Sequence, residues 1–257
     1  LGISRAKAQT TAPKSLSRVD PAAAPSTDEK TVTVRLDWTE PVAGAIFRRA
    51  DALWIVFDKA KRFDVVQIKE KAKGVVLSAD QVSVPKGTFL RLTTPPGINP
   101  SIRRDGYAWI FDFKKQPMVP KTPIQGRAEP ASRIGPRIFI PVRQAGEPIP
   151  FHDAAVGDNL VVVPVIPFSH GIAKRQIFPK LQILPTAQGI VVQPKIDDLR
   201  VRTLTKGVQV SATSRLALSP TDPKAAAQSK ILTLGTIKRV IGADVWRLAR
   251  REGMKNF

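Results

Sequence analysis

Proline and glycine interrupt this chain at short intervals along most of its length. The 23 Pro and 16 Gly residues separate apolar segments that are too short for long helices. Proline removes a backbone donor and glycine weakens the interior of an element, so this spacing favours many strands and turns. With 42% hydrophobic residues in 257, the chain can still bury a large core. The pattern therefore predicts a mainly β fold.

Alternation of apolar and polar residues begins at Thr31. In TVTVRLDW the apolar residues share one face of a predicted strand. GAIFRR and LWIVFD follow as a predicted hairpin. Within the second of these segments, the continuous apolar run from Leu53 to Phe57 indicates a strand that is covered on both faces.

One phrase occurs twice at a constant offset of 55 residues. RRADALWIVFDK spans residues 48 to 59, and RRDGYAWIFDFK spans residues 103 to 114. In both, an Arg pair leads into a turn, and Trp follows within an apolar run. We expect the same hairpin to be built twice, with the two copies packed or paired together and the Trp residues in the core.

Composition divides the chain into four parts. Residues 1–30 are rich in Ala, Pro and Ser and are predicted to be a disordered linker. Residues 31–117 are predicted to form repeated small β units, and residues 118–220 a second β-rich region, in a sandwich or repeat-like arrangement. Residues 221–257 are predicted to be a linker and a short helical segment that leads into a helical-repeat domain beyond this chain, because apolar residues recur there at three- and four-residue steps.

Within the second β-rich region, LRVRTLTKGVQVSA carries the clearest hairpin pattern. Lys206 and Gly207 occupy the predicted turn, and Leu199 and Val201 alternate with arginines. Prolines in the neighbouring segments favour edge strands, bulges or short bent strands.

The net charge of +20 favours anionic partners. Nucleic acid, anionic lipid headgroups, acidic envelope polymers and acidic proteins all belong to that class. Most of the excess lies between residues 31 and 220, so a basic tail does not explain it.

The sequence offers no set of residues that predicts a reaction, a cofactor or a metal site. Cysteine is absent, which excludes disulfides and thiolate chemistry. His152 lies beside Asp153 and Asp158, but no second pair of ligands accompanies them at a recognisable spacing. Adjacent residues of a strand point to opposite faces, so Ser169 and His170 do not form a nucleophile and base by themselves. No apolar run approaches the roughly 18 to 20 residues of a membrane-spanning helix.

The two Arg pairs are the candidate ligand-binding residues. Arg48, Arg49, Arg103 and Arg104 lie at the ends of the two predicted hairpins and could present four guanidinium groups to phosphate or carboxylate. The alternative is structural, with the arginines solvated or lying along an aromatic surface.

The unit VRLDWTEPVAGAIFRRADALWIVFDK resembles the AMIN-type β module of bacterial envelope proteins. The order of Pro/Ala-rich leader, paired β units, Pro-rich middle and VWRLARREGMKNF also resembles the N-terminal half of large alphaproteobacterial tetratricopeptide-repeat proteins. This resemblance implies a periplasmic location and attachment to envelope polymers or assemblies.

Two functional hypotheses follow from these patterns. The first is a non-catalytic cell-envelope module that binds or scaffolds an anionic component or a protein partner. The small-x-small spacing of Ala6, Lys7 and Ala8, typical of signal-peptidase sites, agrees with that location. The alternative is a cytoplasmic nucleic-acid-binding protein that uses a distributed basic surface.

Overall fold

The computed structural model of the chain describes Gly2, residues 31–82, 84–133 and 135–214, and Leu216 and Leu218. Within these residues lie eighteen strands and one short helix, which confirms the prediction of a mainly β fold. Apart from Gly2, the linker predicted over 1–30 lies outside the described residues, as do the linker and helix predicted over 221–257. None of the described helical structure has the length and apolarity that crossing a membrane requires.

The elements are numbered along the chain. Up to residue 115 they are β1 (Val32–Leu36), β2 (Gly44–Arg49), β3 (Ala52–Phe57), α1 (Val65–Lys71), β4 (Ser78–Val82), β5 (Thr88–Thr93), β6 (Ile98–Asp105) and β7 (Ala108–Lys115). After residue 115 they are β8 (Thr122–Pro123), β9 (Arg127–Glu129), β10 (Arg137–Pro141), β11 (Ile149–Asp153), β12 (Asp158–Val163), β13 (His170–Gly171), β14 (Gln176–Phe178), β15 (Leu181–Leu184), β16 (Ile190–Pro194), β17 (Leu199–Leu204) and β18 (Gly207–Ala212).

Most strands belong to four antiparallel sheets. The first sheet has the order β1-β7-β6 and the second β2-β3-β5-β4. The third has the order β11-β12-β16-β15-β14 and the fourth β17-β18-β10-β9. A small parallel pair joins β8 to β13. The hairpin predicted around Lys206 is confirmed as β17 and β18, paired from Leu199 with Ala212 to Leu204 with Gly207.

Three apolar cores lie between successive sheets, so the four sheets stack as layers. Trp109 and Phe111 of the first sheet pack with Ile55 of the second in the first core. The opposite face of the second sheet packs on the third sheet, as Trp54 and Phe151 do with ring centroids 4.8 Å apart. The third core fills the space between the third and fourth sheets.

Strand β3 is buried on both faces, as its continuous apolar run predicted. Leu53, Ile55 and Phe57 face the first core, while Trp54 and Val56 face the second. All five side chains are almost completely buried. The apolar residues of β3 are therefore divided between two different sheet partners.

The repeated phrase forms two hairpins that lie in different sheets. β2 and β3 pair within the second sheet, whereas β6 and β7 pair within the first. The two hairpins pack face to face, with the rings of Phe57 and Trp109 5.3 Å apart. Their Trp residues differ in environment, because Trp109 lies in the first core and Trp54 in the second. A common duplicated unit therefore stays a prediction.

Helix α1 was not anticipated from the sequence. The Asp64 side chain accepts a hydrogen bond from the backbone N–H of Gln67 and caps the helix. Ile68 is its buried residue, and it packs into the first core. Seven residues give too few turns for a recognisable helical period.

Main-chain hydrogen bonds join the second sheet to the segments around Val165 and Gln188. The N–H of Gly44 donates to the carbonyl of Val165 at 3.0 Å, and Val165 donates back to Gly44 at 2.9 Å. The N–H of Ile46 donates to the carbonyl of Gln188 at 2.8 Å, and the N–H of Ala187 to that of Ile46 at 2.9 Å. The edge of β2 is thus held by backbone from the second half of the chain.

Candidate anion-binding surface

Arg48 is held by the polypeptide around it. Its Nε donates to the Asn99 side-chain oxygen at 2.6 Å, and a terminal nitrogen contacts the Thr94 hydroxyl and the Ile98 carbonyl. Burial lowers the pKa of this guanidinium from its ordinary value. The contacts hold the end of β2 to the start of β6 and to the loop before it.

Arg49 forms a buried ion-pair cluster with the third sheet. Its Nε lies 3.2 Å from Asp153 Oδ2, and a terminal nitrogen contacts Asp158. The side chains of Arg49 and Asp153 are 10% and 3% exposed. Gln193 donates to the same oxygen of Asp158 that Arg49 contacts. This arginine connects the second and third sheets.

His152 lies apart from Asp153 and Asp158 in the structure. Asp153 and Asp158 face each other across β11 and β12 and contact Arg49. His152 lies on the exposed side, and its Nδ1 is 2.9 Å from the Asn159 side-chain oxygen. Among the described residues, no group of three or more His, Cys, Asp and Glu is placed to hold a metal ion.

The second Arg pair has one half-buried and one exposed member. Arg104 lies over aromatic rings, 4.4 Å from the Phe168 centroid and 5.5 Å from that of Trp109. Burial lowers its pKa. This is the structural alternative expected from the sequence.

The side chain of Arg103 is 57% exposed, and its Nε donates to Asp112 at 2.7 Å. A binding role for the four arginines stays a prediction, and the structure leaves Arg103 as the most accessible of them.

The Asp112 carboxylate gives the outer face of the first sheet a pH-dependent stability. Its hydrogen bond from Arg103 holds the Asp112 pKa below its ordinary value. The resulting stabilisation is present above the unfolded pKa, about 3.9, and is lost as pH falls through the lower folded value. We expect Asp112→Asn to lower the unfolding free energy at pH 7, with the difference closing below about pH 4. Urea titrations across pH measure this, with the exposed Asp197→Asn as control; a difference independent of pH would contradict the assignment.

The solvent-facing side of the fourth sheet carries the clearest cluster of free cations. Ile138, Ile140, Val208 and Val210 face the third core, so the alternate residues of these strands point outward. We call this outward side the arginine face and define it by Arg127, Arg137, Arg200 and Arg202, with Phe139 among them.

Strand pairing fixes the layout of the arginine face. Arg202 pairs with Gln209, which pairs with Phe139, which in turn pairs with Arg127. Arg200 and Arg202 are two positions apart, about 7 Å along the strand, and three strand spacings separate Arg202 from Arg127, about 14 Å. Cationic groups are thus distributed over an area suited to several charges of one polymer.

Three of these arginines are available to a partner. Arg127, Arg200 and Arg202 are exposed, and none of the described residues forms an ion pair with them. Arg137 instead donates to Glu129 at 2.6 Å and to Gln209 at 3.0 Å. The three exposed guanidinium groups retain their full capacity to bind phosphate or carboxylate.

Phe139 lies in the middle of the arginine face. A Cβ added to Gly207 would meet the Phe139 ring at 2.7 Å, so the ring packs directly on the glycine backbone. The guanidinium of Arg137 lies 5.5 Å from the ring centroid. The face thus combines a half-buried aromatic ring with cations.

The sequence contained a partial signal for this surface. The alternation of Leu199 and Val201 with arginines already placed Arg200 and Arg202 on one side of a strand. It did not show that Arg127, far earlier in the chain, joins the same sheet through β10. Comparison with known protein families, with curated proteins and with solved structures gives no match to this chain.

Proposed function

We propose that this chain is a non-catalytic binding module of the cell envelope, held through the arginine face to an anionic envelope polymer or an acidic partner. The observation that supports it most is the set of three exposed guanidinium groups of Arg127, Arg200 and Arg202 that lack described ion-pair partners. Arginine presents a planar fork that matches phosphate and carboxylate.

The wider surface supports the same class of partner. Among the described residues, exposed Lys and Arg outnumber exposed Asp and Glu by about two to one. Such an excess attracts polyanions over distances of about a Debye length. A diffuse positive field therefore guides the partner, and the arginine face supplies the closest contacts.

The test uses two variants with the same loss of charge. Arg200→Gln with Arg202→Gln removes two free cations of the arginine face, whereas Lys69→Gln with Lys73→Gln removes two exposed cations at helix α1 and beyond it. At low salt we expect the first variant to bind peptidoglycan sacculi or phosphatidylglycerol vesicles about 30-fold more weakly, at about 1 kcal/mol for each contact. Co-sedimentation measures the affinity. Equal losses in both variants, or none in the first, would overturn the proposal.

Nucleic acid is the second candidate, favoured by Phe139 among the arginines. Aromatic rings within a basic surface stack bases of single strands. If oligo(dT) is the preferred ligand, log affinity falls steeply with log salt concentration, and the slope decreases by about 1.4 in Arg200→Gln with Arg202→Gln. Fractionation of the native protein separates the two candidates, since periplasmic recovery agrees with the envelope and cytoplasmic recovery with nucleic acid.

A further inference from the structure

A cavity of about 670 Å³ lies beside the turn between β17 and β18. Its walls come from the end of β10, the turn residue Lys206 and the small pair of β8 and β13. The volume falls within the range of small-molecule sites, about 300 to 1,000 Å³. It is large enough for a small organic ligand.

The lining of this cavity is positive and contains no carboxylate. Arg143 and Lys206 contribute its cationic groups, His170 adds an imidazole ring, and Asp and Glu do not line it. Arg143 and Lys206 form no ion pair with any described residue. His170 Nδ1 lies 2.8 Å from the Phe168 carbonyl oxygen, which can only accept, so Nδ1 is the donor and this contact fixes the ring in the cavity wall.

The remaining wall is largely apolar. Ile124, Pro141, Val142 and Pro167 line the cavity together with the basic groups. Val142 also belongs to the third core, so this part of the wall is backed by packed side chains. A ligand that fits both parts carries an anionic group on an apolar body.

The backbone around the cavity is held in an uncommon conformation. Three non-glycine residues have positive φ among the described residues, and two of them adjoin this cavity. Gln144 lines it with φ of 51°, and Ser169, with φ of 57°, precedes His170. Such conformations are unfavourable for residues with a Cβ, and they cluster at binding sites.

Hydrogen bonds within the chain hold the cavity walls in place. The N–H of Thr122 donates to the Ser169 carbonyl at 3.0 Å, and the N–H of Ile166 to that of Gln144 at 3.0 Å. The Gln188 side chain donates to the carbonyl of Pro167 at 2.9 Å. A preformed site loses less affinity to ordering on binding.

We propose that this cavity binds a small organic oxyanion, a phosphate or carboxylate group on a compact apolar body. Arg143 and Lys206 neutralise the charge of the anionic group, and the wall that contains Ile124 covers the body of the ligand. This site is independent of the proposed function, since it takes a small molecule into a cavity and not a polymer across a sheet.

Titration calorimetry with phenyl phosphate and benzoate tests the proposal. We expect one saturable site for at least one of the two, with inorganic phosphate weaker and neutral benzyl alcohol unbound. Arg143→Gln and Lys206→Gln should each weaken binding roughly fivefold or more, whereas Lys73→Gln leaves it unchanged. Circular dichroism and melting temperature check that each variant is folded.

Wild-type protein supplies a second measurement that needs no variant. Amide NMR shifts of Arg143, Gln144 and Lys206 should move on titration with the bound probe. Absence of saturable binding, shifts elsewhere, or equal affinity for inorganic phosphate and both organic probes would overturn the proposal. Binding of phenyl phosphate with no loss of sacculus binding in the arginine-face variant would overturn the proposed function alone.

Discussion

Replacement of Arg49 by Met lowers the free energy of unfolding by about 3 to 5 kcal/mol, the range for a buried ion pair that loses one partner. Asp153, whose side chain is 3% exposed, then loses the guanidinium that lies 3.2 Å away. The surrounding apolar core cannot replace that partner. Urea denaturation followed by tryptophan fluorescence measures the loss.

A second substitution tests whether the unpaired Asp153 carboxylate causes the loss of stability. Asp153→Asn removes the charge while its side-chain oxygen can still accept from the Ala155 N–H, as Asp153 does at 3.1 Å. In Arg49→Met with Asp153→Asn we expect the loss to shrink by about half or more. If the double variant is as unstable as the additive sum, packing of the arginine stem, and not charge, accounts for the effect.

The exposed Arg35 is the matched control for this prediction. It forms two ion pairs, with Asp37 at 2.7 Å and Asp105 at 2.6 Å, yet all three side chains are well exposed. Water and salt screen such pairs. Arg35→Met should leave the urea midpoint nearly unchanged, so a large shift there would contradict the role given to burial.

Gly189→Ala is expected to lower the free energy of unfolding by about 3 kcal/mol, for two separate reasons. Gly189 has φ of 75°, a conformation that costs an L side chain about 1 kcal/mol or more. Its new Cβ would also lie 2.6 Å from the Cβ of Ala45 and 2.9 Å from its Cα. Overpacking against backbone adds roughly 1 to 3 kcal/mol.

Gly74→Ala separates these two causes. Gly74 has φ of 87°, but a Cβ added there meets nothing within 4 Å. We expect a loss of only about 1 kcal/mol, from backbone strain alone. The two urea midpoints, measured side by side, give the contribution of the close contact between Gly189 and β2. Equal losses would mean that Ala45 moves away freely.

Local patterns in the sequence predicted individual strands better than their partners. The run from Leu53 to Phe57 showed a strand covered on both faces, and this was confirmed. The identity of the covering sheet was not readable, because Trp54 meets Phe151 from a distant part of the chain. Periodicity reports the burial of a face but carries no information about which residues bury it.

The same limit applies to the charged residues. The sequence places Arg49 beside Arg48 as a candidate ligand contact, and it places Asp153 and Asp158 near His152 as candidate metal ligands. Their mutual contact joins positions about a hundred residues apart, which no local spacing reveals. Arg127 and Arg202 lie on one face of the fourth sheet, and only the strand pairing of the folded chain shows this.

The second sheet is buried on both faces, and this limits where the chain can be cut into fragments. The sequence predicts a boundary near residues 117 and 118, which lies between β7 of the first sheet and β8 of the small parallel pair. A fragment cut at that point would uncover Phe47, Trp54 and Phe89 on the side where the third sheet lies. An apolar patch of that kind promotes self-association. The boundary favoured by the sequence is therefore a poor site at which to divide the chain into separate fragments.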